Sequence, residues 1–286
     1  MIRAILTTSR PISWVNTAYP FAAAYLIAGQ RIDWLLVVGT IFFLFPYNLL
    51  MYGVNDVFDY ESDLRNPRKG GVEGAVLSKD AHRTILSACL GLSIPFIAVL
   101  LLAGTVLSNT VLALSVAAVL AYSAPRLRFK ERPGLDSLTS AVHFVSPAVY
   151  GWVLAGSGLS ITQWCVFGAF LLWGMASHAL GAIQDIIPDR AGGLGSIATV
   201  LGARVTLYLV LFAYLLAGAV LLWGLSWPAS AAALLVVPYV LNVVPHLRVS
   251  DESSGSVHSA WKRFLWINYL CGFLLTMLII YTTISA

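Results

Sequence analysis

The run Asn55-Asp56-Val57-Phe58-Asp59-Tyr60-Glu61-Ser62-Asp63 places four carboxylates within eight residues at the end of a long apolar segment. A second acidic pair, Asp185 and Asp189, closes another apolar segment about 130 residues later. Carboxylates beside hydrocarbon are costly and persist where they are used. On a helix Asn55, Asp59 and Asp63 fall at i, i+4 and i+8, and Asp56 shares that stripe with Asp59 and Asp63. If the helix continues past the apolar run, three or four oxygen ligands project from one face and Glu61 points elsewhere. Asp185 and Asp189 repeat the i, i+4 spacing. Two such clusters facing each other would form a hard-oxygen cage for magnesium, an ion that commonly bridges a carboxylate to a substrate phosphate. One acidic run is usually a solvated loop end. Two runs on one face, both at helix C-termini where they oppose the helix dipole, argue instead for a bound cation.

Bases lie close by in sequence. Tyr122-Ser123-Ala124-Pro125-Arg126-Leu127-Arg128-Phe129-Lys130 ends one apolar segment, and Arg65, Arg68 and Lys69 follow the first acidic run. A diphosphate leaving group needs charge neutralisation beyond the metal, and arginine supplies it in bidentate form. Each of these bases has an equal claim to be a membrane-topology anchor. His178, seven residues before Asp185, and Asn16 in the first apolar run are polar groups inside apolar segments. They read either as lining a site or as interhelical hydrogen-bond partners, and His143 carries the same ambiguity. Cys89, Cys165 and Cys271 each stand alone in an apolar run without metal-ligand spacing, which marks them as packing residues.

The elements that must position these groups are transmembrane helices. Of 286 residues, 59% are hydrophobic and 10% charged, and the mean hydropathy is +0.83, whereas soluble domains carry roughly 25% charge. Apolar runs long enough to cross a bilayer recur along the whole chain. The predicted fold is all-α and polytopic, a single integral-membrane domain over 1–286. It has nine spans at about 11–29, 35–54, 84–104, 110–124, 138–155, 162–183, 205–224, 229–245 and 264–284. The first run is too long for a signal-peptide core and reads as a retained helix. With this topology 16 of the 17 Lys and Arg residues fall on one side and only Arg31 on the other. The positive-inside rule places that side, the N-terminus and both acidic motifs in the cytoplasm, and the C-terminus outside. The net charge of +4 is therefore topology and lipid contact rather than a nucleic-acid footprint.

Asn55-Asp56-x-x-Asp59-x-x-x-Asp63 together with Asp185-x-x-x-Asp189 resembles the paired aspartate motifs of the UbiA superfamily of intramembrane prenyltransferases. The Tyr122-x-x-Pro125-Arg126 turn looks like that family's basic loop after the fourth helix. Within the superfamily the chain is most similar to the lycopene elongases of C50 carotenoid pathways. That likeness rests on Ser9-Arg10-Pro11-Ile12-Ser13-Trp14, Tyr52 through Asp59, Asn66-Pro67-Arg68-Lys69, and His178 through Arg190 to Gly202.

The resemblance implies nine helices around a central cavity opening to the cytoplasmic face. It implies Mg2+ held by Asp56, Asp59, Asp63, Asp185 and Asp189, with Asp59, Asp189 and Arg126 as the catalytic groups. Asn55, Arg65, Arg68, Lys69, Tyr122, Arg126, Arg128 and Lys130 would hold the diphosphate, and Asn16 and His178 would line the cavity. The donor would be dimethylallyl diphosphate and the acceptor lycopene or another hydrophobic molecule, in contact with membrane lipid.

The Arg-Pro-Ile/Leu that often follows the first motif in quinone and chlorophyll branches is absent, since the chain reads Pro67-Arg68-Lys69. An aromatic or quinone-precursor acceptor is therefore the second reading. A non-catalytic partner subunit and a cation transporter stand behind it, because transporters place ionisable groups near the midplane and these carboxylates sit at one face.

Overall fold

A computed structural model describes residues 2–64 and 78–284, without the side chains of Ser62 and Asp63. The expected ligands Arg65, Arg68 and Lys69 and the Asp63 carboxylate thus lie outside the described residues. What is described is helical, with no strand among the described residues. The order is α1 (Ile2–Thr8), α2 (Val15–Gly29), α3 (Trp34–Leu44), α4 (Pro46–Phe58), α5 (Tyr60–Asp63), α6 (Lys79–Ala103) and α7 (Val106–Ser123). Then follow α8 (Leu135–Leu154), α9 (Ile161–Ile183), α10 (Ile186–Ala191), α11 (Ile197–Gly224), α12 (Val237–Val243) and α13 (His258–Ile284), with short 3-10 turns between.

Seven stretches among the described residues are long and apolar enough to cross a membrane: Trp34–Phe58, Lys79–Ala103, Val106–Ser123, Ile161–Ile183, Ile197–Gly224, Ala229–His246 and Ser254–Ile284. The chain is a multi-pass membrane protein. α13 illustrates why: it buries only Ala260, Phe264 and Cys271 and exposes Trp266, Leu270, Phe273 and Ile280, a surface suited to lipid rather than water. The expected first and fifth spans are helical but are not among the seven. α2 has only 15 residues, and α8 carries Asp136, His143 and five hydroxyl side chains.

Two expected spans are less regular than their hydropathy suggests. The second is broken at Phe45 (φ −121°, ψ −61°), because Pro46 cannot donate into the helical ladder and starts a new helix. Asn48 repairs the break: its amide donates to the carbonyls of Phe43 (2.8 Å) and Leu44 (3.1 Å) and to the Thr17 hydroxyl (2.7 Å). The eighth span is a 3-10 segment, Ala229–Val236, before the short α12. The seventh is helical throughout its expected 205–224, and α11 starts earlier, at Ile197, with an interruption at Gly202 (φ 79°, ψ 166°).

The chain divides into two compact units, 1–129 with 142–158, and 130–141 with 159–286. The first is centred on Phe21, Tyr25, Phe42, Phe43, Tyr47 and Tyr150, all with no exposed surface. Their rings meet mostly edge-on or tilted, as at Phe43 and Tyr47, 5.0 Å apart, and Phe21 stacks on Tyr150. The second is centred on Leu207, Val210, Tyr214, Tyr239, Val243 and Phe264. The three cysteines are buried and free, as expected of packing residues; a Cβ on Gly53 would come within 2.5 Å of Cys89 Sγ, so α4 and α6 approach closely there.

Arg31, expected alone on its face, is paired. Its Nε donates to Asp33 (2.7 Å), and the Tyr25 hydroxyl donates to the same carboxylate (2.8 Å). Burial pushes the Asp33 carboxyl up, but the Leu36 amide, the Tyr25 hydroxyl and Arg31 outweigh it and hold it below the usual carboxylate range.

Candidate functional site

The first acidic motif sits where α4 ends. Asp56 and Asp59 are almost fully buried, at 1% and 3% exposure. A buried carboxylate needs a partner, and each has an arginine. Arg10 Nη2 meets Asp56 Oδ1 at 2.8 Å, and Arg128 Nη2 stands 3.6 Å from Asp59 Oδ1. Arg10 also stacks over the Tyr52 ring, 4.1 Å from its centroid. The Asn55 amide donates to Asp59 Oδ2 (2.8 Å), and the Ser123 hydroxyl at the end of α7 donates to Asn55 Oδ1 (3.3 Å). The basic loop after α7 is thereby tied to the acidic end of α4.

The arginines sit on unusual backbone. Among the described residues four non-glycines have positive φ, and three are Arg10 (49°), Arg126 (74°) and Arg128 (40°). Such conformations are uncommon for long side chains and cost about 1–3 kcal/mol each. Two of the three strained arginines are the partners of Asp56 and Asp59, so the strain falls where charge must be delivered. Arg126 is exposed, and Lys130 is half-buried. Tyr122 packs edge-on against His143, 5.2 Å between ring centroids.

The single continuous stripe expected from Asn55 to Asp63 is not formed. α4 stops at Phe58, and Asp59 is its C-cap (φ −100°, ψ 0°), after which α5 starts afresh at Tyr60. The i, i+4 contact from Asn55 to Asp59 survives because the Asp59 amide still donates to the Asn55 carbonyl (2.9 Å).

The second acidic motif differs from the expectation in its electrostatics. α9 ends at Ile183, and Asp185 is the N-cap residue of α10, with Asp189 in its first turn. Asp185 thus follows the C-terminus of α9, as expected, and also precedes the N-terminus of the short α10, where a carboxylate is favourable. Both are half-buried. The Asp189 amide donates to the Asp185 carbonyl at 2.9 Å, which keeps the i, i+4 relation. Gln184 Oε1 lies 2.6 Å from His258 Nδ1. His178 Nδ1 is 3.1 Å from the Ser137 hydroxyl, so an interhelical partner exists for it within its own unit, and Asn16 is exposed.

Among the described residues no three His, Cys, Asp or Glu side chains converge as a ready-made metal cluster. The donor set nonetheless fits magnesium. Asp56, Asp59 and Asn55 offer only hard oxygens, and this ion is commonly held by one or two carboxylates with waters and substrate phosphate completing its shell. The residue that sequence reasoning missed is Arg10. It lies 46 positions from Asp56 and read as one more inside-positive charge.

Residues 17–268 match the UbiA prenyltransferase family. A lycopene elongase/hydratase of Corynebacterium glutamicum is 53% identical over 98% of this chain and 97% of that one. The C(50) beta-cyclic carotenoids biosynthesis protein LbtBC of Dietzia sp. is 52% identical over 99% of this chain and 66% of its own length. Among solved structures, a UbiA homolog from Archaeoglobus fulgidus bound to DMAPP and Mg2+ superposes with a TM-score of 0.68 at 18% identity, covering 93% of this chain and 98% of that one. At that identity the likeness speaks for the fold.

Proposed function

Because the chain belongs to the UbiA prenyltransferase family, and is thus a prenyltransferase, we propose that it moves a dimethylallyl group from its diphosphate to the ends of lycopene, an early step toward C50 carotenoids. The observation that carries the acceptor is the 53% identity, over nearly the whole of both chains, to a lycopene elongase/hydratase.

Asp56 and Asp59 in the first unit, and Asp185 and Asp189 in the second, supply oxygen ligands for magnesium on the donor, with Asp63 as a further ligand and Asn55 on the diphosphate. When bound, the ion neutralises the diphosphate and makes it a better leaving group. Arg126, Arg128 and Lys130, with Arg65, Arg68 and Lys69, hold the diphosphate as it departs. Positive charge placed in advance where negative charge develops is usually the largest contribution to such a step. The allylic C–O bond breaks, its electron pair leaves with the diphosphate, and the lycopene terminal double bond attacks the allylic carbon. The new tertiary cation then loses a proton or takes up water. Apolar walls must exclude bulk water from the first cation, or it is quenched.

The reading includes nine crossings in one integral domain, with α2 and α8 crossing as well as the seven apolar stretches. The N-terminus and the acidic motifs are cytoplasmic and the C-terminus is outside, as the inside-positive bases require. Reporter fusions at the two termini test that orientation.

Expression in a lycopene-producing host, followed by mass analysis of pigments, tests the function. Products heavier by one and two C5 units are expected. Unchanged lycopene with prenylated aromatic compounds would move the acceptor to that class, and unchanged lycopene rescued only by a second polypeptide would make the chain a partner subunit. Asp59→Ala and Asp189→Ala should each cut turnover by at least about a thousandfold while the protein still inserts, and EDTA should abolish turnover of the native chain.

A further inference from the structure

The interruption of α11 at Gly202 has been filled by an ion pair from elsewhere in the chain. In an unbroken helix the Ala203 amide would donate to the Thr199 carbonyl. The Gly202 backbone (φ 79°, ψ 166°) separates those two groups. Arg190 takes the carbonyl, donating from Nε (2.9 Å) and Nη2 (2.7 Å) to Thr199 O. Asp251 takes the amide, accepting from Ala203 N–H at 2.6 Å. The two side chains then join each other, Arg190 Nη1 to Asp251 Oδ2 at 2.7 Å. One missing backbone bond has been replaced by a bridge of four contacts.

Gly202 is required twice over. Its φ of 79° disfavours any side chain, and a Cβ there would lie 2.9 Å from Asp251 Oδ1 and 3.2 Å from Oδ2. The carboxylate occupies the place where a side chain would be.

The bridge bears on the second acidic motif because Arg190 follows Asp189 in α10. That helix has six residues, too few to hold its own orientation. It is anchored through buried Ile186 on one side and through Arg190 on the other. We infer that Asp251 is a positioning residue for the donor site: through Arg190 it fixes α10, and with it the Asp189 carboxylate, against the broken turn of α11. This rests on the reading of Asp189 as a donor ligand. It also commits three of the five Arg190 N–H donors to the Thr199 carbonyl and Asp251.

Asp251→Asn in the full-length chain separates charge from shape, because an amide oxygen still accepts from Ala203 while the partner of Arg190 is neutral. The KM for dimethylallyl diphosphate should rise about tenfold or more with kcat within about twofold. The concentration of inorganic pyrophosphate, with magnesium, that half-saturates the purified protein should rise by a similar factor. Arg190→Lys, which keeps the charge, should restore part of the affinity lost in Arg190→Gln. A wild-type KM and pyrophosphate affinity in Asp251→Asn, with or without a lower unfolding midpoint, would overturn the inference. Asp189→Asn tells the two failures apart. If it keeps full turnover, the ligand reading falls and this inference with it. If it is inactive while Asp251→Asn behaves as wild type, only the positioning role falls.

Discussion

The two acidic motifs solve the same problem in opposite ways. The first puts Asp56 and Asp59 out of solvent, at 1% and 3% exposure, at the unfavourable end of α4, and compensates with arginines held on positive-φ backbone. The second holds Asp185 and Asp189 half-buried at the start of a six-residue helix, and beside them the ion pair of Arg190 with Asp251 spans a broken turn of backbone. Charge is expensive in the first motif and orientation is scarce in the second. A substitution should therefore act mainly on stability in one and mainly on precision of placement in the other.

The sharpest way to break that contrast is to remove Arg10. The Asp56 side chain is fully buried and Arg10 only 17% exposed, so Arg10→Gln deprives a buried carboxylate of the Arg10 counter-charge. The expected loss is about 3–5 kcal/mol, read from the denaturant midpoint in detergent. Asp189→Asn in the second motif should move the same midpoint by less than about 1 kcal/mol. Equal losses would show that both motifs are built on compensated burial.

Much of this was readable in advance, and the unread part has a pattern. The motifs, the helical class and the approximate helix positions follow from local properties: carboxylate spacing and runs of apolar side chains. The breaks at Phe45 and Gly202 are local too, since Pro46 and a lone glycine mark them, but the hydropathy reading averages over the first and begins its span beyond the second. The pairings of Arg10 with Asp56 and of Arg190 with Asp251 join residues 46 and 61 positions apart. Topology gives every cytoplasmic arginine the same reason to exist, so these could not be singled out from sequence. Reading Asp185 as the end of α9 missed that it also starts α10, which sets a favourable helix end beside the unfavourable one.

A smaller effect sharpens the second half of the contrast. Gly202→Ala must adopt φ near 79° and push its Cβ against Asp251, at an expected loss of about 1–3 kcal/mol. Gly192→Ala in the same unit is the control. Its φ is −83° and the nearest neighbour of an added Cβ is 3.4 Å away, so the expected change is close to zero. If the two variants unfold at the same midpoint, the broken turn is slack and the bridge across it positions nothing.

The smallest effect is in the response to acid. The Ala203 amide, helped by the Arg190 guanidinium and against some burial, holds the Asp251 carboxyl below the usual carboxylate range. A carboxylate with a lowered folded-state pKa adds stability that is fully present above its unfolded value, about 3.9, and is lost as the pH falls through the folded value. Wild type should therefore be more stable than Asp251→Asn at neutral pH, with the gap closing below about pH 4 as Asp251 takes up its proton. Because the carboxylate is 32% exposed, screening keeps the gap small. Asp33 titrates in the same direction but is present in both proteins and cancels in the difference. A gap that stays constant from neutral to strongly acid pH would mean that Asp251 works by hydrogen-bond shape alone. The second motif would then owe nothing to charge, and the contrast with the first would be sharper still.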